Sequence, residues 1–67
     1  MEKQFIELSN SDEGVLVNRN SIIYVQQDDG DISLILIEER FDLSFRDETS
    51  ANHAIRAIKE GRDYAEV

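Results

Sequence analysis

The apolar residues of this chain change their period once, near Asp47, and that change limits the possible fold more than any other feature. Before it, Phe41, Leu43 and Phe45 alternate with polar residues, as do Ile6, Glu7 and Leu8, which is the period of strands with one face against a core. After it, Ala51, Ala54, Ile55 and Ile58 fall at offsets of 0, 3, 4 and 7, the spacing of one stripe along a helix. Strands followed by a helix imply an α+β chain.

Turn signals divide the strand region. Ser9 to Gly14 has the composition of a turn between Ile6–Leu8 and Val15–Val17, and Asn18 to Ser21 closes the second strand. Ile22 to Gln27 is β-branched and aromatic. It runs into Asp28-Asp29-Gly30-Asp31, where Asp-Gly suits the positive φ angles of a type I′ hairpin. A two-residue loop there sets Val25 against Leu34 and Ile23 against Leu36 on one face, with Tyr24 and Ile35, and Ile22 and Ile37, on the other. A second hairpin is expected to pair Leu36 with Phe41, Leu34 with Leu43 and Ile32 with Phe45, across a longer loop from about Ile37 to Arg40. The inward face then holds Ile23, Val25, Ile32, Leu34, Leu36, Phe41, Leu43 and Phe45, and it receives Ile55 and Ile58.

The helix is expected over about residues 48–60. Asp47, Thr49 and Ser50 are candidate N-caps, and Gly61 suits the left-handed position after the last turn. Residues 62–67 read as a frayed tail in which Tyr64 and Val67 are free to dock. The expected architecture for residues 1–67 is therefore one domain. It is a small curved antiparallel sheet or open barrel of four or five strands, over about residues 4–45, with one C-terminal helix.

Composition narrows the function. The 67 residues hold no cysteine, and the longest apolar run, Leu34 to Ile37, is far short of the ~20 residues that cross a membrane. Met-Glu-Lys-Gln-Phe has neither the basic segment nor the apolar stretch of a signal peptide, so a soluble, cytoplasmic protein is expected. The formal charge of −8 argues against direct nucleic-acid binding, which needs clustered lysine and arginine. Residues 1–45 carry ten acids and three bases, and residues 46–67 carry five and four, so the charge lies in the strand region. Its acids gather at Asp12-Glu13, Asp28-Asp29 and Glu38-Glu39. Turns at opposite ends of antiparallel strands are expected to scatter them around the rim.

Material for catalysis is scarce. His53, the one histidine, lies about 200° around the helix from Ala51 and so faces solvent. No serine has a base in prospect, and the three glycines are isolated, which leaves no phosphate-cradling loop. Asp28-Asp29-Gly30-Asp31 lacks the alternate-position spacing of a calcium loop. The expectation is no enzyme, no cofactor and no metal site.

Ile6-Glu7-Leu8, Gly14, Val17-Asn18, Ile22-Ile23 through Val25 and Leu34-Ile35-Leu36, followed by a short strand and an acid-led helix, resemble the small FlbD-like proteins found among bacterial flagellar genes. The similarity covers about residues 5–58 and consists of hydrophobic pattern with one Val-Asn dipeptide. It departs at Glu38-Glu39-Arg40, where those proteins tend to have a glycine-containing turn. The resemblance implies a bacterial or phage origin and a small, non-enzymatic, β-rich protein, and it carries over no functional residue.

One helix covers one sheet face, which leaves Ile22, Tyr24, Ile35 and Ile37 as a second apolar face that either the N-terminal strands wrap, if the sheet curls, or another chain meets. The expected function is a non-catalytic protein-interaction module that associates with a second copy of itself through this face or a strand edge, as a homo-oligomer. The rival is an acidic inhibitor whose Asp12, Glu13, Asp28 and Asp29 mimic nucleic-acid charge in the basic groove of another protein.

Overall fold

The computed structural model describes residues 4–66, so the expected docking of Val67 lies outside the described residues. The chain runs β1 (Phe5–Ser9), β2 (Gly14–Asn18), a 3₁₀ turn (Arg19–Ser21), β3 (Ile22–Asp28), β4 (Asp31–Leu36), β5 (Arg40–Ser44), α1 (Glu48–Glu60) and β6 (Tyr64–Ala65). The α+β class holds. Six strands form two three-stranded sheets, ordered β2-β1-β6 and β3-β4-β5, that do not close into a barrel. The sixth strand corrects the frayed tail: Tyr64 and Ala65 lie parallel to Leu8 and Ser9 on β1. Asp63 extends the pairing, since its Oδ1 accepts from the Glu7 N–H at 2.9 Å, and the Glu66 N–H donates to the Ser9 carbonyl at 2.9 Å.

The core lies between the sheets and under the helix. Ile6, Leu8 and Val17 come from the first sheet, Ile32, Leu34, Leu36 and Leu43 from the second, and Phe45 follows β5. The helix adds Ala51, Ala54, Ala57 and Ile58, with Ile55 half-buried. Three of these four are alanines, which lets the helix axis come close to both sheets. It packs against β3, β4 and β6, and the Gln27 side-chain amide on β3 donates to Asn52 Oδ1 at 2.8 Å. The helix thus closes one seam between the sheets, on the β3 and β6 side. Helix ends follow the expected signals. Asp47 is the N-cap, accepting from the Ser50 N–H at 2.8 Å, and Gly61 stands at φ 73° with the paired carbonyl bonds of a Schellman motif at Ala57 and Ile58.

The first hairpin keeps its expected register from Tyr24–Ile35 to Asp28–Asp31, but a bulge follows. Ile22 faces Leu36, and Ile23 is the extra residue. Ile22 therefore turns toward the core, where it is half-buried, and Ile23 is expelled to the surface at 61% exposure, the reverse of the expected inward set. At the hairpin tip Asp29, not Gly30, carries the positive φ, 54°, so the turn is not type I′.

The second hairpin is shifted by two residues, pairing Leu34 with Phe41 and Ile32 with Leu43. A shift of two keeps every side chain on its expected face. The cause is a loop tighter than expected: the Leu36 N–H donates to the Glu39 carbonyl at 2.8 Å, so Ile37 and Glu38 form the tip. Neither has positive φ, which is why the turn manages without glycine.

Candidate functional site

The second seam between the sheets, where the free edge of β2 meets the free edge of β5, is open. A groove of about 470 Å³ lies there, touched by Leu16, Val17 and Asn18 of β2, by Phe41 of β5 and by the turn from Leu36 to Glu39. Val17 is buried and Leu16 exposed, because consecutive strand residues point to opposite faces. A groove that touches both therefore runs along the edge of β2 and not across its face. Large apolar side chains stand at its mouth: Leu16 is 66% exposed and Ile37 is 69% exposed.

The expected apolar face is only partly assembled. Tyr24 is half exposed, but Ile35 beside it on β4 is half-buried, and Ile22 belongs to the core margin. Ile37 sits at a turn tip, its N–H donating to the Ser21 carbonyl at 3.1 Å, and it lines the groove instead of the sheet face. Apart from exposed Ile23, the outer surface of β3-β4-β5 also carries a polar cluster. There Asp42 Oδ1 accepts from the Ser33 hydroxyl at 2.7 Å and from Arg40 Nε at 3.2 Å, and these bonds, the serine's first, hold its carboxyl below the ordinary aspartate range. Sequence reasoning missed Leu16 and Ile23. The signal for Leu16 was available: with Ile6 and Leu8 inward, antiparallel pairing sends Val15 and Val17 inward and leaves the leucine between them outside.

The acids are not scattered. Asn10 Nδ2 donates to the Ser44 carbonyl at 2.6 Å, and Ser44 pairs with Asp31, so the β1–β2 and β3–β4 turns share one end of the molecule. Asp47 approaches Gly30 at that end, and Glu66 Oε2 accepts from the Arg46 N–H at 2.8 Å. Asp12, Glu13, Asp28, Asp29, Asp31, Asp47, Glu48 and Glu66 thus form an acidic pole whose segments contribute Arg46 as a base. Antiparallel strands put successive connections at opposite ends, so the first and third share one end by parity, and the expected scatter overlooked this alternation. Glu38 and Glu39 lie at the other end, beside the groove.

No set of three His, Asp or Glu side chains able to hold a metal ion is found among the described residues. His53 is exposed, with its ring edge-on to Tyr64 at 6.5 Å between centroids. No described helix is long and apolar enough to cross a membrane. No protein-family model, curated protein or solved structure matches the chain.

Proposed function

We propose that this chain is a non-catalytic protein-interaction module whose contact surface is the open seam between β2 and β5. The observation that carries the reading is the pair of large apolar side chains, Leu16 and Ile37, exposed at the mouth of a groove that reaches buried Val17. Water gains nothing from that surface, and burying it against another chain removes apolar area at about 25 cal/mol per Å². Leu16→Glu with Ile37→Glu tests it, because neither side chain supports the core. Affinity capture with the wild-type and doubly substituted chains, side by side, is expected to yield a stoichiometric partner held by the first and lost by the second. Light scattering at micromolar concentration reads a second copy directly. A partner held equally by both chains places the contact elsewhere.

The acidic-inhibitor reading is favoured by one observation, the gathering of Asp12, Glu13, Asp28 and Asp29 at one pole. Such a complex must weaken steeply with added salt, because its contacts are charge to charge. An affinity that stays flat from low to high salt removes this reading and leaves the apolar seam.

A further inference from the structure

The parity of the backbone hydrogen bonds fixes which groups of β2 and β5 face the seam. The Arg19 N–H donates to the Gln4 carbonyl at 2.7 Å and the Asn10 N–H to the Glu13 carbonyl at 2.8 Å. These bonds bracket the β1–β2 ladder, so Val15 and Val17 bond to β1 while Leu16 and Asn18 turn their N–H groups away from it. On the other side, the bonds from Leu36 to Glu39 and from Phe45 to Gly30, both 2.8 Å, bracket the β4–β5 ladder. Phe41 and Leu43 bond to β4, and Arg40, Asp42 and Ser44 turn outward. The Ser44 carbonyl is taken by Asn10, which pins the two sheets together at the acidic pole. From that pin the edges part, and the groove lies between their unpinned ends.

We propose that this seam accepts an extended segment of a different protein as an added strand, one in which lysine or arginine alternates with apolar residues. The inference rests on the interaction-module reading and names its partner. The outward amides of Leu16 and Asn18 supply backbone bonds, and Val17 and Phe41 on the inner side, with Leu16 and Ile37 on the outer, receive alternate side chains. Charge selects the partner. Glu38 and Glu39 line the groove and no described base does. The nearest cations are engaged elsewhere: Arg19 donates to the Ile58 and Lys59 carbonyls, and Arg40 pairs with Asp42. A second copy would bring the same two glutamates and a net charge of −8, so like charges would meet.

The test titrates a terminally blocked eight-residue peptide alternating lysine and valine into isotope-labelled protein, followed by NMR and amide hydrogen exchange. Binding is expected to slow exchange at the Leu16 and Asn18 amides at least about tenfold. A peptide methylated at alternate backbone nitrogens and a glutamate-valine twin are expected not to bind. Glu38→Gln with Glu39→Gln should weaken binding at least about fivefold, and the charge-matched pair Asp28→Asn with Asp29→Asn should not. Equal weakening by both pairs, or binding of the glutamate twin, overturns the charge selection. Binding that shifts Tyr24 and Ile35 while Leu16 and Asn18 exchange freely overturns strand addition, yet leaves an interaction module working through another face. A dimer of the free protein with those two amides protected assigns the seam to a second copy and overturns the proposed partner alone.

Discussion

At position 30 a methyl group has nowhere to go. A Cβ built there stands 2.8 Å from the Phe45 carbonyl oxygen and 3.3 Å from the Asp47 backbone, so glycine is required by a close approach and not by a positive φ. Because the obstructing atoms are backbone, Gly30→Ala must shift the β3–β4 turn against the start of the helix. It is expected to cost about 1–3 kcal/mol in urea denaturation, against almost nothing at exposed Gln26. Asp47 makes a different demand. The Ser50 N–H, then the Ser50 hydroxyl, hold its carboxyl below the ordinary aspartate value, with smaller help from Arg46 and His53. A lowered folded-state pKa means that the ionised form favours folding. Its contribution is complete above the ordinary value and disappears as pH falls through the lower folded one. Asp47→Asn keeps an acceptor without the charge. Urea midpoints of the two proteins should therefore differ near neutral pH and converge in acid; a gap that is constant with pH would show the charge to be irrelevant.

Among the elements, the helix was the most legible, because its stripe, N-cap candidates and terminal glycine all lie within fifteen consecutive residues. The strand faces were legible too, and the second hairpin, though misplaced by two positions, kept them. What the sequence concealed was the arrangement between elements. Nothing local marks Ile23 as the residue of a bulge, since Ile22 and Ile23 are identical in kind and the pairing of Ile22 with Leu36 decides between them. Nor does a two-residue strand at Tyr64 carry a period; it exists because β1 had a free edge and Asp63 had a carboxylate for the Glu7 N–H. Arg19 is the clearest case. Its guanidinium, on the 3₁₀ turn after β2, donates to the Ile58 carbonyl at 2.8 Å and the Lys59 carbonyl at 2.7 Å, across about forty residues. It places a cation at the negative end of the helix, adding a second donor to the Ile58 carbonyl that Gly61 already caps and a bond to the Lys59 carbonyl. Arg19→Met is expected to cost about 1–2 kcal/mol in thermal or urea unfolding. Arg19→Lys should recover only part, because an ammonium lacks the fork that reaches both oxygens. Full recovery by lysine would reduce the contact to simple charge.

At the scale of the whole molecule the two sheets meet along two seams, and the chain treats them differently: the helix closes one, while the other is pinned at one end where Asn10 reaches Ser44. The crossing after β2 creates the open seam, whereas the alternation of antiparallel turns puts the β1–β2 and β3–β4 acids at one pole. Strand alternation alone accounts for the pole, but the seam needs the division into two sheets. The pole carries a consequence for stability that separates it from the cap at Asp47. Eight carboxylates within one end of a molecule whose longest dimension is 26 Å lie within a few Debye lengths of one another, about 10 Å at 0.1 M salt, and repel. The thermal midpoint should therefore rise as salt is raised from about 0.02 to about 0.5 M, through screening. Asp12→Asn with Glu13→Gln should raise the midpoint at low salt and flatten its salt response, since the Asn10 side chain, not these carboxylates, makes the bonds that shape their turn. Circular dichroism at the two salt concentrations decides the matter. If the midpoint falls as salt is added, attractive pairs outweigh the repulsion, and Arg46 with Asp47, 3.9 Å apart, would be the first place to look.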